Sequence, residues 1–270
     1  MVGDEFLSRE VLRHGAYVCL RPRENTGTAA LARAAIPALA DRLGLRDEFA
    51  FAGSPLERSV AYLRRKHAVP RDIPDPDVLR AEWVIHVAAK DTDSVMSFCV
   101  HARALLEPHA AMRILSGVVR PRNYTGAAME KWAYARAVVQ QGGATMPNGF
   151  LIPLSKTSDW WRKEWMERHT YFLPKYDDEA RMVAEGHALA SAEGIPCLYR
   201  RSYHALEQPA PEGAYDFVTY FECADADLPV FERVCAKLRD TRKNPEWKFV
   251  REGPTWHGLR VPTWADLFTA

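Results

Sequence analysis

The run Trp83-Val84-Ile85-His86-Val87 decides the fold, because the chain carries its counterpart 134 residues later (217 − 83), at Phe217-Val218-Thr219-Tyr220-Phe221. Both runs are rich in β-branched and aromatic residues, the composition of a strand. The same shift sets Gly15-Ala16-Tyr17-Val18 over Gly149-Phe150-Leu151-Ile152 and carries Asp91 and Asp93 onto Asp225 and Asp227. One shift that fits separated segments marks an internal repeat. In each half a strand ends at the aspartates and a helix follows, over 94–106 and over 228–242. The pattern predicts an α+β fold of two ferredoxin-like repeats, each a mostly antiparallel sheet with helices on one face. The repeats divide the chain into residues 1–145 and 146–270.

Outward from these runs, residues 15–20 read as a first strand and 28–43 as a helix with Leu31, Ala34, Ala35 and Leu39 on one side. Ser54-Pro55 predicts a second helix reaching about residue 66, since proline is favoured at the first helical position. Residues 69–76 hold three prolines and read as a linker. Residues 81–89 and 111–119 are extended, 130–141 fits helix or strand, and Gly142-Gly143 breaks the chain.

Composition narrows the class. Hydrophobic residues make up 47% of the 270, ample for a buried core, and the formal charge of +1 gives no electrostatic footprint for a nucleic acid. Five scattered cysteines, odd in number and never spaced C-x-x-C, point to reduced core thiols and not to a disulfide framework or zinc site. No run approaches the roughly 18 apolar residues of a membrane span, and the acidic start Met1-Val2-Gly3-Asp4-Glu5 leads into no apolar segment. A soluble, cytoplasmic protein without a membrane or nucleic-acid partner is expected.

The chemistry gathers in residues 178–222. An acidic turn, Asp177-Asp178-Glu179, followed by good helix formers predicts a helix over 180–193, stopped by Gly194-Ile195-Pro196. His187 then lies mid-helix, on an apolar face with Val183 and Ala190. Residues 197–204 read as a strand in which Leu198, Arg200, Ser202 and His204 share a face. On the residues alone, His187 is a hydrogen-bonded core histidine or a ligand. Arg200 is a sheet arginine paired with a carboxylate such as Glu222, or an inward functional group; Arg201, on the opposite face, is solvated or paired.

Ile152-Pro153-Leu154-Ser155-Lys156, Trp160-Trp161, His187, Arg200-Arg201-Ser202-Tyr203-His204 and Asp216-Phe217-Val218-Thr219-Tyr220-Phe221-Glu222, in that order, resemble the haem-binding half of the chlorite dismutase family. The resemblance covers roughly 149–261 and implies a dimeric α/β barrel fused in one chain. It implies haem b, with His187 as the proximal iron ligand, Glu246 behind its ring on the last strand, and Arg200 as the distal catalytic residue. Lys156 would contact a haem propionate, although an exposed lysine is an equal reading, and Trp160 or Trp161 would pack at the haem edge. The positions 134 before His187 and Arg200 are Gly53 and Lys66, so one haem per chain is expected, in the second half. Related decarboxylases have a tyrosine at the place of Ile152 and glutamine or an apolar residue at that of Arg200, which points here to an oxidoreductase activating chlorite or peroxide. A small organic or nitrogenous substrate and a non-catalytic haem protein are the alternatives, and the resemblance implies a homo-oligomer, with a pentamer expected.

Overall fold

A computed structural model of the chain describes residues 12–24, 27–49, 57–120 and 135–269. Its strands are β1 (His14–Pro22), β2 (Arg46–Asp47), β3 (Arg58–Val69), β4 (Trp83–Ala89), β5 (Ala110–Val118) and β6 (Asn148–Lys156), then β7 (Lys175–Tyr176), β8 (Met182–Ala184), β9 (Tyr199–His204), β10 (Phe217–Cys223), β11 (Val250–Glu252) and β12 (Thr255–Val261). Pairing runs β10-β9-β5-β1-β4-β3-β12-β6, and β6 pairs again with β10, which closes the ring into a barrel. Within it the first half has the order β5-β1-β4-β3 and the second β9-β10-β6-β12, each the strand order of a ferredoxin-like repeat. Closure leaves no edge between the halves, although β5 and β9 meet at only one pair, Val118 with His204.

The repeat extends to backbone register. His14 pairs with Ala89 and Asn148 with Cys223, both pairs related by 134 (148 − 14 and 223 − 89). Helices Thr92–Leu106 and Leu228–Arg239 follow in the two halves, the first capped by Asp91, which accepts the Ser94 amide at 2.8 Å. The first helical segment is split into Thr28–Ala32 and Ile36–Arg42 with Pro37 in the opening turn of the second, because proline has no amide to continue a helix through it.

The helix expected to reach residue 66 is instead the long strand β3; Ser54-Pro55, Gly53 and 130–134 lie outside the described residues, and 135–141 is neither the helix nor the strand expected, being helical at 135–136 alone. Residues Ser59 to Leu63 are all buried because β3 has sheet on both sides and cover on both faces. Such a run lacks the alternation that identifies a half-buried strand. The shift of 134 also fails for this strand. Val60 pairs with Val87 and Arg200 with Phe221, the counterpart of Val87, so the structural counterpart of Arg200 is Val60 and not Lys66. Val60 is buried in the first half's apolar core. The C-terminal tail completes that core: Trp264 donates to the Leu31 carbonyl at 3.2 Å, and Trp83 to that of Leu267 at 2.9 Å. The outer face of the first half is therefore filled by the chain itself.

The barrel interior is aromatic, with Tyr17, Tyr203, Tyr220 and Trp256 fully buried, and is charged at one end. There Arg260 bonds Glu222 at 3.0 Å, and Gln140 links Glu222 and Glu48 at 3.2 and 2.9 Å. Arg201 lies 3.9 Å from Glu48. Burial, opposed by Arg260 and reinforced by Glu48, pushes the Glu222 carboxyl up to about 6. The native state then holds a proton that the unfolded chain has lost, so this group makes stability fall as pH rises from about 4.5 to about 6. Urea titrations across that interval should show wild type losing about 1 kcal/mol relative to Glu222→Gln. A constant difference between the two proteins would contradict this.

Candidate functional site

His187 does not lie mid-helix. Asp177 accepts the amides of Glu179 and Arg181 at 3.1 and 2.9 Å, a side-chain turn that competes with helix formation, and Ala180 takes a φ of 59°. The segment becomes the β7–β8 hairpin, Val183 is exposed, and a short helix, Gly186–Ser191, follows with His187 in its first turn. Gly186 has a φ of 66°, and a Cβ there would meet the Leu173 carbonyl oxygen at 2.4 Å, so only glycine fits. The helix has no side-chain cap; the His187 and Ala188 amides donate instead to the carbonyls of Tyr171 and Phe172, each at 3.2 Å. The amides of Glu185 and Gly186 both bond the Lys243 carbonyl, tying the helix start to the segment that carries Glu246.

Glu246 sits in the 3-10 turn Pro245–Phe249, ahead of the last strand and not on it, and is buried. Its Oε2 lies 2.6 Å from His187 Nδ1 and its Oε1 2.5 Å from Lys156 Nζ. Burial would raise this carboxyl, but the charge of Lys156, then His187, holds it well below the ordinary carboxylate range. Ionised Glu246 accepts a hydrogen bond from His187 Nδ1–H, which makes Nε2 the ring nitrogen with the lone pair.

The exposed reading of Lys156 is excluded. It is buried at the end of β6 and lies 4.3 Å from the ring centre of Trp160. Trp160 is fully buried beside Phe172, Tyr171 and Phe249. Trp161, one position on, faces elsewhere: it stacks near Phe217 and donates to Asp216 at 3.3 Å. The sequence pattern assigns Asp216 no role. It also accepts the Lys156 amide at 2.7 Å and the Ala210 amide at 2.6 Å, joining β6, the tryptophan pair and the 205–215 segment.

The two arginines exchange their expected surroundings. Arg201 is buried in the barrel interior with Glu48 and Gln140, whereas Arg200 is exposed. A closed barrel covers its inner side as fully as a helix layer covers its outer one, so "inward" on β9 belongs to Arg201. Nor does Arg200 share a face with Glu222, which pairs with Arg260; it is opposite Phe221, on the outer face with Phe150 and Ile152. Ala190, from the helix of His187, packs into that same cluster. Arg200 and His187 thus belong to opposite layers, sheet and helix, of the second half.

Among solved structures, the chain resembles chlorite dismutase from Candidatus Nitrospira defluvii in complex with imidazole, at 17% identity and a TM-score of 0.67 over 97% of each chain. It has the chlorite dismutase-like fold. A tryptophan-to-phenylalanine variant of the same enzyme in complex with cyanide agrees at 17% identity and a TM-score of 0.65 over 96% of each chain. A provisionally named chlorite dismutase agrees at 14% identity and a TM-score of 0.57, over 94% of this chain and 97% of that one. No protein-family model and no curated protein sequence matches.

Among the described residues no group of three or more His, Cys, Asp or Glu could hold a metal ion, and no helix is long and apolar enough to cross a membrane. Removing Lys156 would leave Glu246 buried against the histidine alone. Lys156→Met should destabilise the fold by about 3 kcal/mol or more in urea unfolding, because a buried pair broken on one side leaves an uncompensated charge.

Proposed function

We propose that the protein is a haem b oxidoreductase acting on chlorite or peroxide, with His187 as the axial ligand and Arg200 facing the reacting oxidant. The observation that carries this is the buried chain Lys156–Glu246–His187. A carboxylate behind an imidazole fixes the tautomer, orients the ring and makes the outer nitrogen a better donor to iron. The residues fit the group: a histidine presented by a helix start, an apolar sheet face with Phe150, Ile152 and Phe221, and one arginine on that face. When bound, the haem would supply a redox-active iron able to break the Cl–O bond of chlorite or the O–O bond of peroxide.

The remaining work falls to the chain. Arg200 attracts the anion and holds it by charge-assisted hydrogen bonds, then stabilises negative charge on the departing oxygen. With chlorite, Arg200 would keep the anion and its anionic product within the site, one chlorite giving one chloride and one dioxygen overall. Glu246 stays ionised, held so by Lys156, and keeps the Nδ1 proton of His187 in place throughout. Lys156 thus serves the histidine's partner in addition to, or in place of, any propionate, and Trp160 walls the same corner. A homo-oligomer belongs to the same proposal.

Purified protein supplied with haem should give a histidine-ligated ferric spectrum that His187→Ala loses. Arg200→Ala should keep the spectrum and slow dioxygen release from chlorite, or peroxide turnover, about a hundredfold, the cost of one preorganised donor. Absence of the spectrum from wild type would remove the haem, and full activity of Arg200→Ala would remove the arginine's role.

A further inference from the structure

Resting on the haem reading above, we propose that Ser202 and Thr219 form a hydroxyl pair that acts with Arg200 to select a small oxyanion, one offering at least two acceptor oxygens. Strand register places three rows on the outer face of the second half: Arg200 with Phe221 and Phe150, Ser202 with Thr219 and Ile152, and His204 with Phe217 and Leu154. The middle row lies between two aromatic rows, yet it carries two hydroxyls, Ser202 Oγ and Thr219 Oγ1, 3.2 Å apart.

A bond between two hydroxyls uses one of their two protons, so the pair retains one O–H to donate. Because the bond holds both side chains in place, that donor is oriented in advance. Thr219 is 7% exposed and sits among aromatic rings, where a hydrogen bond to an anion is stronger than in water. Arg200 and Ser202 are two residues apart on one strand, roughly 6.5 Å along it, which the length of an arginine side chain readily spans. A ligand that takes charge from the guanidinium through one oxygen can accept from the hydroxyl pair through another. Chlorite and nitrite have this form. Cyanide, with no oxygen, can use the arginine's charge but not the hydroxyl.

The pair thus determines specificity instead of performing chemistry, and equilibrium binding is the direct readout. Nitrite and cyanide would each be titrated into the haem-supplied protein and followed by the Soret band, in wild type, Ser202→Ala, Thr219→Val, the double variant of these two, and Ser202→Thr. Each single removal leaves one hydroxyl without the bond that orients it, so nitrite should weaken severalfold in Ser202→Ala and in Thr219→Val and about tenfold or more in the double variant, which has no donor, while cyanide stays within about twofold and Ser202→Thr, which keeps the pair, binds nitrite as wild type does. Threonine keeps the hydroxyl, and valine matches Thr219 in shape, so neither change disturbs the strand. Unchanged nitrite affinity in Ser202→Ala and Thr219→Val, with the histidine-ligated spectrum intact, would overturn this inference and leave the haem reading standing. Equal weakening of nitrite and cyanide would overturn it as well, since that marks a general loss of site structure. No Soret band in any variant or in wild type would overturn both.

Discussion

The ion cluster around Glu246 is the constraint on which the second half depends. A carboxylate buried to 4% exposure is costly unless both oxygens are engaged, and here one takes Lys156 and the other His187. Those partners come from the end of a barrel strand and the start of a short helix, so satisfying one charge brings three separate segments to a common point. Backbone bonds support it: the Lys243 carbonyl gathers the amides of Glu185 and Gly186, and Asp216 fixes the strand end at the Lys156 amide. The histidine ring is then oriented by the fold, before any ligand arrives.

Barrel closure makes the halves unequal despite their shared register. Their inner sides meet in one interior, where two glutamates and two arginines balance in charge and Glu222 is held near protonation. Their outer sides diverge. In the first half, Val60 stands where the second has Arg200, and the tail residues Trp264 and Leu267 fill the layer between sheet and helix. In the second half that layer receives the helix of His187, and the sheet face keeps an arginine and a hydroxyl pair. A single backbone plan therefore yields two packed layers, the second closed by Phe231, Val234 and Leu238 and carrying an arginine and a hydroxyl pair on its sheet face.

Period and repeat were legible along the chain because strands β1, β4, β6 and β10 and the two long helices are specified locally, by β-branched runs and, for the first of the helices, by an aspartate cap. That is why one shift of 134 recovered their pairing to the residue. Where local signals compete, the chain misled. Ser54-Pro55 suggested a helix in front of a strand buried on both faces, and the acidic turn at Asp177 read as a helix start although its side chain closes a hairpin turn.

The sequence by itself determined the α+β repeat and, through one shift of 134, the matching register of β1 with β4 and of β6 with β10, since these follow from periodicity carried in local runs. Tertiary structure alone decided which residues share a surface. Lys156, Glu246 and His187 are 31 to 90 positions apart (187 − 156 and 246 − 156) and meet only when the second half folds. The choice between Arg200 and Arg201 needed the closed barrel, because alternation along a strand separates two faces but does not say which one the rest of the molecule will enclose.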